Sequence, residues 1–446
     1  MPRPRDPAAR TRVALAAALV ALAPASAHAL PAVLVGAAPL KIRNHRSHLV
    51  LARDGPRTTM SLQLDVLAVP MDLAIVLPIH GEVDPDSLKT LDRRLFDRLD
   101  RLSAPHLAHV WEADPCAPPD PPASHAPPRS ERPATFSAGE YEFAALGRIG
   151  AGELELWLRE RGYPLTEAHA AALAEHFAAG ASFVVARVDR RQVHFDARGH
   201  AVLSPLRVAF TADEPWRIPL RAGLGHTLGE QEVVLHALAD APADLGPTPA
   251  PALPSGLALR PAAADRFSAV YAAVFAAARD RHGPLALREH TAPLPAGALE
   301  AAELTALGVA SAAPVLSRLH LRYAPAELPE DPALLASPAA AEQRTEFVIR
   351  HPWTGPVACE APRRGVYGPP PADVPPDEAT PRWIRAMAPA RPLAELAPLL
   401  AEDIPALGLT AAPAGCACTV DRGAPPALVL ACLIVLAPRR RRSAGV

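Results

Sequence analysis

Four donor residues stand close together in one stretch of the chain: His226, Glu230, Glu232 and His236. Imidazole nitrogens and carboxylate oxygens are what zinc and other borderline divalent ions accept, and the same groups serve as general acids and bases. Side chains two apart share a face of a strand, so Glu230, Glu232 and His236 would line up on one side. The neighbours of His236, in the run Val233-Val-Leu-His236-Ala-Leu-Ala239, are apolar and favour a core or half-buried histidine over a ligand. A hydrolase would have to rest on Glu232 and His236 together with His320 and His351. There is no H-E-x-x-H, no G-x-S-x-G and no Walker loop. Gly223, Gly225 and Gly229 miss the dinucleotide spacing by one position and precede a β-type run, so they read as a turn. No catalytic, cofactor or metal residue is assigned on these grounds, and the reading leans to a non-enzyme.

The remaining chemistry lies in cysteine and tryptophan. The body of the chain carries Cys116 and Cys359, an even number for an exported protein. Cys116 is flanked by proline with no helix N-terminus to lower a thiol pKa, so a disulfide is preferred to a nucleophile. Such a bridge would close a very long loop and, by chain entropy, stabilise by a few kcal/mol. A carbohydrate- or peptide-binding module would need Trp157, Trp216 and Trp353 to converge on one cleft.

The elements that must position these residues are mixed in type. His48–Ala52, Thr58–Val66 and Leu73–Leu77 read as strands, with a turn at Arg53-Asp54-Gly55-Pro56. Leu88, Leu91, Leu95, Leu99 and Leu102 recur at helical spacing, predicting a helix from Ser87 capped by Ser87 or Asp86. A second helical piece is expected to lead to Trp111 and end at Pro115-Cys116. Residues 117–135 are proline-rich and read as an extended linker between an N-terminal lobe (30–116) and a second lobe (136–370). In the second lobe Tyr141–Leu146 reads as a strand, and Glu153–Arg161 and Thr166–Ala178 as helices. Phe183–Val188 and Gln192–Phe195 read as paired strands. Ala201–Phe210 and Gln231–Ala239 are further β-type runs, followed by helices at Arg260–Asp280 and Ala298–Leu307. Residues 371–414 are rich in proline and alanine and read as a stalk. Strands and helices alternate without a βαβ rhythm, which favours an α+β fold in two lobes.

Composition narrows the function further. Lysine occurs only at Lys41 and Lys89, and the net charge of −2 is spread evenly, so a nucleic-acid partner is excluded from the reading. The ends are more telling. Arg3, Arg5, Arg10 and Arg12 precede the apolar run Val13–Ala23, and Pro24 and Ala27-His28-Ala29 follow. This is the order of a secretory signal peptide over 1–29, exported by the Sec machinery and cleaved by signal peptidase after Ala29. At the other end (415–446), Gly415-Cys416-Ala417-Cys418 is followed by the apolar run Ala424–Ala437 and by Arg439, Arg440, Arg441 and Arg442. At ~1.5 Å per residue this run reaches about 21 Å, short of the roughly 30 Å of a bilayer core. A brief stop in the membrane for a processing protease suits it better than a permanent span.

That tail resembles the MYXO-CTERM sorting signal, which implies cleavage near Cys416 or Cys418 and retention at the cell surface. The body resembles domain-of-unknown-function family 2330. The resemblance rests on Phe347-Val-Ile-Arg350-His351-Pro352-Trp353-Thr354-Gly355-Pro356 with Cys359 and Pro362 after it. In order before these come Arg53-Asp54-Gly55, Ala74-Ile-Val-Leu-Pro78, Trp111-Glu112, Asp114-Pro115-Cys116, Gly139-Glu140-Tyr141, Trp157-Leu158, Gly162-Tyr163-Pro164, Leu203-Ser-Pro-Leu-Arg207 and Arg318-Leu-His320-Leu-Arg322-Tyr323. Leu30-Pro31-Ala32-Val33 and Glu289-His290 stand where the family has cysteine-containing segments, which implies fewer disulfides here. The resemblance implies export and supplies no activity, no cofactor and no ligand. The expected protein is an envelope protein anchored through its tail.

Overall fold

The structure is a computed structural model and describes residues 31–37, 43–67, 72–118, 139–195, 201–213, 215–226, 230–247, 249–283, 286–337, 340–375, 380–384, 387–388 and 393–412. The expected signal peptide, most of the proline-rich linker and the sorting tail lie outside these residues. Among the described residues no helix is long and apolar enough to cross a membrane.

The fold is α+β. Its strands are β1 (Val33–Gly36), β2 (Arg43–Asp54), β3 (Arg57–Leu67), β4 (Leu73–Ile79), β5 (Glu82–Thr90), β6 (His106–Glu112), β7 (Tyr141–Arg148), β8 (Ser182–Val188), β9 (His194–Phe195), β10 (Ala201–Val202) and β11 (Leu206–Thr211). They continue with β12 (Gln231–Ala239), β13 (Ala243–Gly246), β14 (Leu257–Leu259), β15 (Ala286–Pro293), β16 (Val315–Tyr323), β17 (Ala333–Ala336), β18 (Gln343–Arg344), β19 (Glu346–His351), β20 (Tyr367–Gly368) and β21 (Arg382–Trp383). The helices are α1 (Arg93–Ser103), α2 (Ala151–Glu160), α3 (Glu167–Ala178), α4 (Phe267–His282), α5 (Ala301–Leu307) and α6 (Leu393–Leu396).

Two sheets face each other. One has four strands in the order β1-β4-β8-β7, the other eight in the order β18-β15-β16-β12-β2-β3-β11-β5. The largest core lies between them, where Leu34, Ile75 and Val184 of the first sheet meet Leu49, Leu235 and Leu319 of the second. On the outer face of the small sheet, Val76, Phe183 and Val185 are covered by Leu154 and Leu158 of α2 and Leu173 of α3. The outer face of the large sheet is covered by α1, α5 and α4, with Val50, Leu238 and Leu316 buried under Leu95, Phe96 and Leu307. A third sheet, β14-β19-β6-β20 with β21 beside β6, packs on α4 through Leu107, Phe347 and Ile349. The layers are thus helix, sheet, sheet, helix.

Several sequence expectations meet a different outcome. The leucine repeat does carry a helix, but α1 begins at Arg93, where the Asp92 side chain accepts from the Arg94 N–H. Such a cap contributes about 1 kcal/mol. Ser87 lies instead in β5, its hydroxyl accepting from the Ala209 N–H at 2.7 Å in the neighbouring strand. The piece before Trp111 is not helical. It is β6, paired in parallel with β19 from His106–Glu346 to Trp111–His351. Phe183–Val188 pairs with β4 and β7, while Phe195 pairs with β10, so those two runs are not partners. Each of the three sheets takes strands from both sides of the proline-rich segment, so residues 30–116 and 136–370 share their sheets and do not stand as separate lobes. The expected stalk is also part of the body: Ile384, Leu396, Leu399, Leu400, Ile404, Leu407 and Leu409 are buried in the core under α4. Apolar residues at short spacing from Leu396 to Leu409 give that segment a face to bury, and Pro398 and Pro405 stand where short helical turns begin.

Candidate functional site

The outer face of the large sheet is built from alternate residues of three neighbouring strands. His236 lies opposite Arg318 and Val234 opposite His320, while His48 and Val50 of β2 pair with Val234 and His236. Because side chains alternate, the inner face receives Leu235, Leu319 and Leu49, and the outer face receives Glu232, His236, Arg318, His320 and His48. In an uncovered antiparallel sheet this polar face would meet water. Here α1 and α4 lie over it and add Asp100 and Tyr271, so the charges are buried and must find each other.

They do. Arg318 is 1% exposed and Glu289 on β15 fully buried. Arg318 Nε donates to Glu289 Oε2 at 2.6 Å. Arg318 Nη1 donates to Asp100 Oδ1 and lies 3.0 Å from His236 Nε2. Glu289 Oε1 accepts from the Tyr271 hydroxyl and lies 2.8 Å from His320 Nδ1. The other ring nitrogen of His320 faces Glu232 at 3.4 Å, and His48 Nδ1 faces Asp100 Oδ2 at 3.7 Å. Burial alone would raise the Glu289 pKa, yet the charges of His320 and Arg318 and the bonds they make hold it below the usual carboxylate range. Burial would likewise lower that of His320, and Glu289 and Glu232 outweigh it and raise it. Tyr271 is pushed well above its usual value, by burial first and then by Glu289, and stays a neutral donor.

Of the residues singled out from the sequence, Glu232, His236 and His320 therefore belong to one buried network. Glu230 lies beside it, paired with Arg279 and Arg322. The side chain of His226 lies outside the described residues. His351 is elsewhere, stacked on Trp111 with ring centres 4.4 Å apart and 2.9 Å from His109. Trp157, Trp216 and Trp353 do not meet: Trp216 is in the core between the sheets, Trp157 on α2 packs half-buried against the outer face of the small sheet, and the Trp353 backbone N–H donates to Glu112. Asp100, Tyr271, Glu289 and Arg318 were missed as members of the network. The alternation Arg318-Leu-His320-Leu-Arg322 was a signal for a polar sheet face, but nothing local says that helices cover it.

A second buried cluster draws on none of the sequence candidates. His80 follows β4, His176 sits in the last turn of α3 and Asp331 precedes β17. His80 Nε2 lies 2.9 Å from His176 Nδ1, and Asp331 Oδ2 is 3.9 Å from the same nitrogen. The other Asp331 oxygen accepts from the Arg221 N–H at 2.8 Å. Here burial dominates: it pushes Asp331 up to about 7 and, with the charges of His80 and Arg221, His176 down to about 3.

Cys116 and Cys359 form a disulfide, their Cα atoms 5.6 Å apart. It staples the ends of the parallel strands β6 and β19 at the surface. A cleft of about 230 Å³ near the end of β12 is lined by Leu51, Ala237 and Leu334, with Arg53 and Asp240 but no histidine or cysteine.

These features define an α+β protein of two facing sheets between helical layers, with a surface disulfide and two buried histidine clusters. Residues 24–335 match the family described as "Uncharacterized protein conserved in bacteria (DUF2330)", and the chain belongs to it. No curated protein matches the chain. Among solved structures it is similar to one described as the crystal structure of baculovirus P35, at 12% identity and a TM-score of 0.24, over 45% of this chain and 65% of that one. A likeness at that level carries no argument about function.

Proposed function

We propose that this is an exported, non-enzymatic protein of the bacterial cell envelope, secreted by the Sec machinery and retained at the surface through a processed C-terminal tail. The observation that carries this reading is the Cys116–Cys359 bridge. Cys116 is exposed, and a surface disulfide persists in an oxidising compartment but meets reductant in the cytosol. The order of basic residues, apolar run and Ala27-His28-Ala29 at one end supports it, as do Cys416, Cys418 and the four arginines at the other. The charged groups of the larger histidine network are spent on one another beneath α1 and α4, which supports a structural use for them over catalysis.

Intact mass and fractionation test the proposal. Mature protein is expected in the envelope fraction, to begin at Leu30, to lack Arg439–Arg442, and to take up alkylating reagent at Cys116 only after reduction. A cytosolic protein with Met1 in place and free thiols would overturn it.

A further inference from the structure

We propose that His80, His176 and Asp331 bind one divalent first-row transition-metal ion of the zinc class. One donor atom from each residue lies within 4.8 Å of the other two. Ligand atoms held ~2.0–2.1 Å from a tetrahedral ion lie about 3.3 Å from each other. The spacings of 2.9 Å between the two imidazoles and 3.9 Å from His176 to the carboxylate bracket that value. Two imidazoles and one carboxylate suit zinc and its neighbours and leave a fourth position for water. His80 is half-buried and gives an ion its way in, whereas His176 and Asp331 are buried.

The surroundings fit a preformed site. The three donors come from the end of β4, the last turn of α3 and the loop before β17, so the fold fixes their separation. The Arg221 N–H holds one Asp331 oxygen and turns the other toward His176, the kind of outer support that ligating carboxylates receive. The nearby arginines do not fill the site. Arg221 donates to Glu175 at 2.5 Å and to the Leu328 and Pro329 carbonyls at 2.6 and 2.9 Å. Arg217 donates to Glu330 at 3.0 Å and to the Asp331 carbonyl at 2.6 Å. The other histidine triad, His48, Asp100 and His236, has similar donor spacing. There the Arg318 guanidinium already stands between Asp100 and His236 and takes the place of a cation.

The test uses the untagged full-length chain, stripped with chelator and titrated with Co²⁺ and Zn²⁺. One Co²⁺ per chain is expected, with a spectrum lacking sulfur-to-cobalt charge transfer, which separates this site from the tail cysteines. His80→Gln should weaken binding by more than the ~10–100-fold typical of an outer-shell change, and His236→Gln should leave it unchanged. His176→Gln should abolish it, and since His176 is buried, the half-exposed His80 supplies the variant least prone to misfold. No stoichiometric binding, binding that survives His80→Gln, or cobalt seen only on sulfur would each overturn the proposal.

Discussion

The two buried histidine clusters shift their pKa values in opposite senses. Around Arg318, pairing outweighs burial: the Glu289 carboxyl is held down and the His320 imidazole is raised. Around His176, burial outweighs pairing: Asp331 rises to about 7 and His176 falls to about 3. The physical difference lies in the counter-charge. Glu289 shares a guanidinium with Asp100 and is in close contact with it, so its ionised form is favoured although it is fully buried. Asp331 accepts from a backbone N–H and faces the neutral His176 ring, while Arg221 and Arg217 donate to other acceptors. The direction of the shift thus separates a network in which a buried guanidinium meets its carboxylates from one in which burial acts with little counter-charge.

The largest expected effect comes from breaking the completed network. Arg318→Met removes the charge that Glu289 and Asp100 share and leaves the fully buried Glu289 carboxylate without it. Breaking a buried pair on one side costs about 3–5 kcal/mol, and urea unfolding should show a loss of that size. A loss below about 1 kcal/mol would mean that water or another cation reaches Glu289, and the contrast between the clusters would fail.

The second cluster is tested by completing it. An ion that binds only the folded state stabilises by RT ln(1 + [L]/Kd), about 2.7 kcal/mol at a hundredfold excess over Kd. Zinc should therefore raise the melting temperature of the wild-type chain and of Arg318→Met, and leave His176→Gln where it was. Zinc that raises all three alike would place the ion elsewhere.

These clusters show where the sequence was legible. Periodicity located α3 and the strand around His236, because each repeats its pattern over many residues. The same periodicity failed at Trp111, where parallel pairing with β19 overrides local preference, and at 371–414, where composition concealed an apolar face. The apolar neighbours of His236 point to a core or half-buried histidine, and it is fully buried. Its partners come from 82 and 136 residues away, as the separations to Arg318 and Asp100 show, and no local pattern carries that information. The second cluster was less legible still. His80 and Asp331 sit just outside strands and His176 within an alanine-rich helix, so none has a neighbour in sequence that marks it as a donor.

Taken per pH unit, the smallest expected effect is that of pH, and both signs of shift occur at and beside the larger network. His290 follows Glu289 on β15 and is buried, and burial, then the charges of Arg344, Arg318 and His106, bring its pKa down to about 3. In the unfolded chain its pKa returns to about 6.5. As pH falls between these values the unfolded chain takes up a proton here that the folded chain refuses, so stability falls, by about 1.4 kcal/mol per pH unit. His320 works the other way. Its folded pKa is raised, so its contribution is complete below about 6.5 and is lost as pH rises through the folded value. Asp331, raised to about 7, works in the same sense as His320: its cost grows as pH rises from about 4, which offsets part of the acid limb. Unfolding free energy should still pass through a maximum and decline on both sides. His290→Gln should flatten the acid limb and leave the alkaline limb in place. Below about pH 4, where Asp331 no longer opposes it, an acid slope should remain, since His176 is also held neutral and the depressed Glu289 adds its own loss. An acid limb unchanged by His290→Gln would mean that His290 is charged in the fold, with a counter-ion that the arrangement around Arg318 does not supply.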